Sequence, residues 1–183
     1  MRILIYALAR TGSTTLGRYV ANSLGYKYLS EPYCEFSKIE NKNDMWELSN
    51  VVVKTIHNQI DINPTEIFKK FDKVIILTRE NIKEQSLSFH YASENNQFLK
   101  PYVLNDFKIN EDKFNNLLNL FDIYTNELLN LNGFHTTYES IYEKADKLNQ
   151  LDEYLEIKDK KYRYMLNSEN RYRKTSKSEF KLI

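Results

Sequence analysis

Hydrophobic residues along this chain fall into short runs that alternate with longer stretches of helical periodicity. Four runs rich in β-branched and aromatic residues predict buried strands. Between them, apolar residues recur every three or four positions, which predicts helices that each cover a sheet with one face. The four predicted strands are Arg2–Leu8, Val51–Ile56, Lys73–Thr78 and Phe134–Tyr138.

Local signals mark where the predicted helices begin and end. Asn and Pro favour the first positions of a helix, and Gly favours the position after its last turn. Five helices are expected. The first ends at Gly25, the second begins at Asn63 and Pro64, and the third begins at Asn81 and reaches about Glu94. The fourth includes Phe114 and ends at Gly133, and the fifth includes Leu148 and Leu155.

Strands that alternate with helices predict an α/β fold with three layers, in which helices cover both faces of a mostly parallel central sheet. The nearly unbroken apolar run of Lys73–Thr78 is typical of a strand buried on both faces. No internal repeat, low-complexity linker or domain boundary is evident in the 183 residues. We therefore expect one domain over residues 1–183.

Charge changes this picture only near the C-terminus. The chain is 42% hydrophobic and 28% charged, which excludes a disordered chain and a membrane bundle. Its net charge is +1, yet the segment from about Lys158 has nine basic residues against three acidic ones. Such a segment suits an anionic ligand, although a solvated tail has the same composition. Tyrosines within it would also suit stacking on bases, but the nearly neutral whole chain disfavours nucleic-acid binding.

Cysteine usage and the N-terminus indicate the compartment. The single cysteine, Cys34, excludes an internal disulfide and forms no cysteine cluster for a metal. The apolar run from Ile3 to Leu8 is too short for a transmembrane helix or a signal-peptide core. We expect a cytoplasmic protein that does not associate with a membrane.

The polar residues between the first strand and its helix are suited to binding an anion. The first N–H groups of a helix have no backbone partner, and the helix dipole favours negative charge beside them. Gly12 permits close backbone approach, Arg10 adds a positive charge, and Ser13, Thr14 and Thr15 add hydroxyl donors. A capped helix with incidental hydroxyl groups would share these features.

This loop differs from the phosphate loop of nucleotide triphosphatases. That motif requires a Lys immediately after its second Gly, and Ser13 occupies this position here, while Ala7 stands where the first Gly would be. The dinucleotide pattern G-x-G-x-x-G is also absent. A kinase is therefore disfavoured, and it stays an alternative.

A second candidate anion element follows the third predicted strand. Arg79 stands at the end of that strand and Ser88 lies nine residues later, in a helix, so both side chains can converge on one phosphate. Ser86 is a possible substitute for Ser88. The two serines lie about 200° apart on a helix, so only one of them can face the ligand, and we favour Ser88.

The two elements together resemble the donor-binding motifs of sulfotransferases that use 3′-phosphoadenosine 5′-phosphosulfate (PAPS). Ala9–Leu16 is similar to the 5′-phosphosulfate loop, in which Thr11 stands at the small-residue position. Leu77–Ser88 is similar to the 3′-phosphate element. The resemblance implies a P-loop-like sulfotransferase fold, contact of Arg10 with the transferring sulfonate and the leaving phosphate, and no requirement for a metal.

Three further stretches resemble the same family. Val51–His57 is similar to a strand that carries Lys-Thr-His, with one residue inserted before His57; its Lys54 either assists the leaving group or only packs in the sheet. Thr137–Ile141 is similar to a family strand, which implies that Tyr138 lies near the adenine. Arg173-Lys174 resembles a late pair that binds the 3′-phosphate, although no Gly follows it.

Two residues are candidates for the base that removes the acceptor's proton. Glu31 lies 21 residues after Arg10, and the tyrosylprotein and heparan-type branches carry a catalytic Glu at similar spacing. His57 corresponds to the base of the cytosolic branch, and its pKa near neutrality suits the role, whereas a Glu would need its pKa raised by burial. The inserted residue turns His57 to the other face of the sheet. We therefore rank Glu31 above His57.

These features predict a PAPS-dependent sulfotransferase that transfers a sulfuryl group to a hydroxyl or amine by in-line displacement. The expected partners are PAPS, its product adenosine 3′,5′-bisphosphate (PAP), and a small-molecule, glycan or peptide acceptor, with no nucleic acid. Segments around Tyr33–Trp46 and Asn95–Lys108 are expected to face the acceptor. The alternatives are a non-catalytic relative that binds an anion or nucleotide, and a kinase-like P-loop protein.

Overall fold

Strands and helices alternate along the chain, as the sequence predicts. The computed structural model describes residues 1–32, 48–59, 63–96, 98 and 108–167. The strands are β1 (Arg2–Ala7), β2 (Lys27–Ser30), β3 (Val51–Ile56), β4 (Lys73–Thr78) and β5 (Phe134–Thr137). The helices are α1 (Ser13–Leu24), α2 (Pro64–Phe68), α3 (Ile82–Asn95), α4 (Glu111–Leu129) and α5 (Leu148–Leu155). Three short turns are the 3₁₀ segments His57–Gln59 and Lys161–Arg163 and the π-helix Glu139–Glu143.

The sheet is parallel throughout, with the strand order β2-β3-β1-β4-β5. The central strand is β1, whose Ile5 pairs with Lys54 of β3 and with Ile75 of β4. The chain fills the β3 side of β1 first and then crosses to β4, so the winding direction changes at β1. In open parallel sheets, ligands bind outside the carboxyl ends of the strands at this point.

Alternate side chains of β1 pack into two separate hydrophobic clusters, one on each face of the sheet. The first joins β1 to α1 and α5, and it includes Ile3, Ile5, Leu16, Tyr19 and Leu151. The second joins β1 to α2 and α4, and it includes Leu4, Tyr6, Ile67, Phe121 and Leu128. Helices therefore cover both faces, which confirms the predicted three-layer α/β architecture.

Helix caps lie at most of the predicted positions. The side chain of Asn63 accepts a hydrogen bond from the N–H of Thr65, and that of Asn81 accepts one from the N–H of Glu84. Gly25 ends α1 with a φ of 68°, in the left-handed region that glycine adopts without strain. The strand boundaries of β3 and β4 are those predicted.

Three features differ from the sequence predictions. The edge strand β2 was not predicted, nor was the π-helix. The prediction that Gly133 ends the fourth helix is wrong, because α4 ends at Leu129 with Asn130 as its cap. Gly133 instead lies directly before β5, where a Cβ would come within 3.0 Å of the carbonyl oxygen of Val74. Its small size permits the close approach of β5 to β4.

Candidate functional site

The site residues predicted within the described ranges lie at the carboxyl edge of the sheet. Arg10 follows β1, Glu31 follows β2, His57 follows β3, Arg79 follows β4 and Tyr138 follows β5. Because all five strands are parallel, these positions share one edge. Their contacts decide which of them belong to one site.

The loop between β1 and α1 has a tight conformation with two residues at positive φ. Arg10 has a φ of 64° and Gly12 a φ of 76°, and the buried hydroxyl of Thr11 donates to the carbonyl of Leu8 at 2.8 Å. The carbonyl of Gly12 accepts the N–H groups of the third and fourth residues after it, at 3.1 Å each. Within the described residues, the N–H groups of Ser13 and Thr14 have no protein acceptor. They are therefore available to an anion.

Tyr142, on the π-helix, fixes this loop from one side. Its hydroxyl donates to the carbonyl of Gly12 at 2.6 Å, and its ring stacks on that of Tyr138 with centroids 4.7 Å apart. A Cβ at Gly12 would lie 2.7 Å from the ring of Tyr142. Gly12 is thus required both by its positive φ and by this contact. The sequence predictions omitted Tyr142; its spacing of four residues from Tyr138 was the available signal.

Helix α3 holds the other side of the loop and brings the two predicted anion elements together. The Nε of Arg10 donates to the hydroxyl of Ser88 at 2.8 Å, and its Nη1 donates to the carbonyl of Phe98 at 2.6 Å. The amide of Gln85 donates to the carbonyl of the residue before Arg10 at 2.7 Å. Ser86 is buried, and its hydroxyl has no hydrogen-bond partner within the described chain. Of the two candidate serines, Ser88 is the one that contacts the loop.

A buried positive charge from β3 lies at the start of α1. The side chain of Lys54 is 2% exposed, and its Nζ is 3.4 Å from the hydroxyl of Thr14. The same Nζ forms a close ion pair with Oε1 of Glu31. Oε2 of Glu31 accepts a hydrogen bond from the amide of Gln59 at 2.8 Å. Lys54 therefore links the anion loop directly to one of the two predicted bases.

The surroundings of Glu31 keep its carboxylate charged. Burial raises the pKa of Glu31, but the hydrogen bond and charge of Lys54, together with the amide of Gln59, lower it by more, so the pKa lies below its ordinary value. At neutral pH the group is ionised, which is the form that accepts a proton. The raised pKa expected of a catalytic glutamate is not observed, because the ion pair with Lys54 outweighs burial. The backbone N–H of Glu31 donates to the carbonyl of Lys54 at 2.7 Å, which fixes the residue at the end of β2.

His57 lies on the opposite face of the sheet, against α4. Its Nδ1 is 2.9 Å from the hydroxyl of Tyr6, and its Nε2 is 2.8 Å from Oε2 of Glu127. Burial, helped by the charge of Glu127, raises the pKa of Tyr6, so this phenol stays protonated and donates to Nδ1. With Nδ1 accepting from Tyr6, Nε2 carries the ring proton and donates it to Glu127. Both ring nitrogens are occupied in this arrangement.

Arg79 is enclosed by protein groups. The residue is 1% exposed, and its Nη1 donates to the carbonyl of Arg10 at 3.3 Å. Its Nη2 is 2.7 Å from Oε2 of Glu84, and its Nε is 3.7 Å from Oε1 of Glu139. The guanidinium also lies 4.9 Å from the ring centroid of Tyr138. The predicted contact of Arg79 with a phosphate stays a prediction.

Of the remaining predicted site residues, Tyr138 lies within the described ranges, whereas Arg173 and Lys174 do not. Tyr138 is buried between Arg79 and Tyr142, and its contact with an adenine stays a prediction. Arg173 and Lys174 lie outside the described residues, as does most of both segments expected to face the acceptor.

Residues 1–32, 48–59, 63–96, 98 and 108–167 contain neither a candidate metal site nor a candidate membrane span. No group of three or more His, Cys, Asp or Glu residues is placed to hold a metal ion there. No helix in those ranges has the length and apolar content needed to cross a bilayer.

Comparison with known proteins finds a likeness of fold and no match in sequence. No family model and no curated protein matches the sequence. A mouse sulfotransferase, SULT7A1, complexed with PAP, superposes on 97% of this chain with a TM-score of 0.63 and 13% identity, and the chain spans 66% of that protein's length. A shikimate kinase from Bacteroides thetaiotaomicron superposes on 85% of this chain and 98% of its own, with a TM-score of 0.54 and 15% identity. The fold is the one that sulfotransferases and P-loop kinases share.

Proposed function

We propose that this protein is a sulfotransferase that moves a sulfuryl group from PAPS to a hydroxyl or amine acceptor. One observation carries the proposal: Lys54 contacts both the start of α1, through Thr14, and the ionised carboxylate of Glu31. The anion loop at Thr14, the buried cation of Lys54 and the proton acceptor Glu31 thus contact one another in turn. The structural likeness to a sulfotransferase complexed with PAP supports the same class.

The donor-facing residues fit a sulfated phosphate. The N–H groups of Ser13 and Thr14, which have no acceptor in the part of the chain that the structure describes, suit its oxygens. Gly12 permits close approach, and Arg10 adds charge. PAPS supplies an activated sulfonate whose bond to the leaving phosphate breaks during transfer. Arg10 and the loop N–H groups would stabilise the negative charge that develops on that phosphate.

The other predicted contacts concern the nucleoside end of the donor. We assign the 3′-phosphate to Arg79 and Ser88, with Arg173 and Lys174 as further ligands, and the adenine to the neighbourhood of Tyr138. The direct hydrogen bond from Arg10 to Ser88 supports a continuous binding surface between the two anion elements.

Glu31 is the proposed base. The acceptor oxygen or nitrogen forms a bond to sulfur while the bond from sulfur to the leaving phosphate oxygen breaks, and the acceptor's proton passes to Glu31. Lys54 and Gln59 hold the two carboxylate oxygens in place. One observation favours Glu31 over His57: its link through Lys54 to the loop.

A kinase is the second candidate, and one observation favours it: the chain matches nearly the whole length of a shikimate kinase. Ser13 occupies the position of the lysine that the kinase loop requires. Lys54 brings an ammonium group to Thr14 from the neighbouring strand instead. Incubation with γ-labelled ATP and a panel of acceptors tests this candidate, and we expect no phosphoryl transfer.

Sulfuryl transfer is tested with ³⁵S-labelled PAPS and a panel of alcohols, phenols, sugars and amines. We expect label to pass to at least one acceptor class. Binding of PAP without transfer to any acceptor would favour a non-catalytic relative, and transfer of phosphate from ATP would favour the kinase.

A further inference from the structure

The enclosure of Arg79 has one side that reaches solvent. The side chain of Arg79 is 0% exposed, and those of its partners Glu139 and Tyr138 are buried as well. The side chain of Glu84, by contrast, is 30% exposed. Of the two carboxylates that face the guanidinium, Glu84 is therefore the one that reaches solvent.

The edge of Arg79 that faces the two carboxylates is poorly satisfied. Nε and Nη2 form the side of a guanidinium that binds a phosphate or carboxylate through two parallel hydrogen bonds. Both atoms are buried, and neither donates an aligned hydrogen bond within the described chain. Nη2 is close enough to Glu84 for an ion pair but is not aligned with its oxygen, and Nε is 3.7 Å from Glu139. A phosphate or carboxylate that accepted hydrogen bonds from both Nε and Nη2 would remove the free-energy cost of leaving these two donors unsatisfied.

Charge opposes the entry of such an acceptor while Glu84 stays in place. Arg79 has two carboxylate neighbours for its single positive charge. Glu84 lies in the first turn of α3, where the cap at Asn81 accepts its backbone N–H. Its outward rotation would remove one negative charge and open the Nε–Nη2 edge without unwinding the helix.

We propose that Glu84 is a carboxylate cover over an anion subsite at Arg79, and that it determines affinity for nucleotides with a 3′-phosphate. The identity of the anion rests on the proposed function, since that function assigns the 3′-phosphate to Arg79. The cover itself rests only on the contacts of Arg79. A ligand with a 3′-phosphate must displace Glu84, whereas one without it leaves the ion pair intact.

The test compares Glu84→Gln with Glu80→Gln as a matched control. Glu80 is nearby in sequence, and it pairs with Lys144 at 3.1 Å and accepts from Thr137 at 3.0 Å, so its substitution removes the same charge away from Arg79. Calorimetry would measure the affinities of PAP, adenosine 5′-monophosphate and inorganic phosphate for the wild type and both variants. We expect Glu84→Gln to bind PAP about tenfold more tightly, to keep its affinity for the monophosphate within about twofold, and to gain phosphate binding.

Each outcome separates the cover from the proposed function. If PAP binds the wild type and Glu84→Gln leaves the ratio of the two nucleotide affinities unchanged, the cover is wrong and the function stands. If only Glu84→Gln gains phosphate and PAP binds no variant, the cover stands and the function is wrong. If no probe binds any variant, both are wrong. If Glu84→Gln does not fold, Glu84→Asp replaces it, because this variant keeps the charge on a shorter side chain. The affinity for PAP relative to that for the monophosphate should then rise by a smaller factor, and an unchanged ratio overturns the cover.

Discussion

Arg10 and Arg79 follow adjacent strands and are joined by a hydrogen bond, yet their surroundings differ. Arg10 is half-buried and donates to neutral oxygens of Ser88 and Phe98. Arg79 is fully buried and faces the carboxylates of Glu84 and Glu139. The half-buried charge of Arg10 can be directed to a ligand, whereas the buried charge of Arg79, paired with carboxylates, is also part of the folded structure. Residue type and position on the sheet edge therefore do not define a role by themselves.

The largest expected effect on stability comes from Arg79→Ala. The substitution leaves the buried carboxylate of Glu139 without its cation, and the loss of one partner of a buried pair costs about 3 kcal/mol or more. Urea denaturation should show this loss. Lys144→Ala, which breaks an exposed ion pair with Glu80, should leave the urea midpoint nearly unchanged. If Arg79→Ala is as stable as the wild type, Arg79 is not part of the folded structure in the way proposed, and it does not differ from Arg10 in this respect.

Arg10→Ala should reduce activity strongly and stability little, in contrast to Arg79→Ala. The loop loses its cation, and sulfuryl transfer should fall by a factor of about 10²–10³, as for removal of one group that stabilises developing charge. The free energy of unfolding should change by less than about 1 kcal/mol, because the side chain is partly exposed and its bonds to Ser88 and Phe98 are to neutral groups.

The control for Arg10→Ala is Arg18→Ala, which removes an exposed charge from α1. Radiolabel transfer should be unaffected by it. Equal rates for Arg10→Ala and Arg18→Ala would show that Arg10 has no part in the chemistry.

Glu31→Gln and His57→Ala compare the two faces of the sheet. We expect the first to lose transfer and the second to keep it. If Glu31→Gln keeps full activity while His57→Ala is inactive, the assignment of the base is wrong.

The ion pair of Glu31 also predicts a pH dependence of stability. The pKa of Glu31 in the folded protein lies below its ordinary value of 4.5, so the ionised carboxylate stabilises the fold above that pH. This contribution is lost as the pH falls through the lowered pKa. Wild type should therefore exceed Glu31→Gln in stability at pH 7, and urea denaturation at successively lower pH should show the difference shrinking below about pH 4.5.

The smallest effect is expected from Tyr142→Phe. This change removes only the hydroxyl that donates to Gly12, so it should cost about 1 kcal/mol of stability and weaken PAP binding a few-fold. Tyr164→Phe is the control, because Tyr164 is 65% exposed. If the two variants have the same affinity for PAP, the hydrogen bond does not shape the loop.

The sequence predicted local features well and spatial pairing poorly. The strands β3 and β4 are continuous apolar runs, and the caps at Asn63 and Asn81 depend only on neighbouring residues, so both kinds of feature were predictable. The link between Lys54 and Glu31 was not, because it depends on the parallel register that sets Ser30 beside Lys54. That register brings together residues 23 positions apart.

The enclosure of Arg79 shows the same limit. Glu84 and Arg79 are close in sequence, but Glu139 comes from a π-helix that the apolar pattern did not reveal. The edge strand β2 was missed because it is short and half polar. Features that depend on packing against the sheet could therefore not be predicted from the sequence. The pairing of Arg79 with Glu139, which distinguishes Arg79 from Arg10, is one of them.

Titration calorimetry of the wild-type protein with PAP, and separately with ATP, tests the central claim most directly. The loop after β1, with the N–H groups of Ser13 and Thr14 and the charge of Arg10, should bind PAP with one molecule per chain, and ATP should give no heat of binding. A folded protein that gives no heat with PAP would contradict the account.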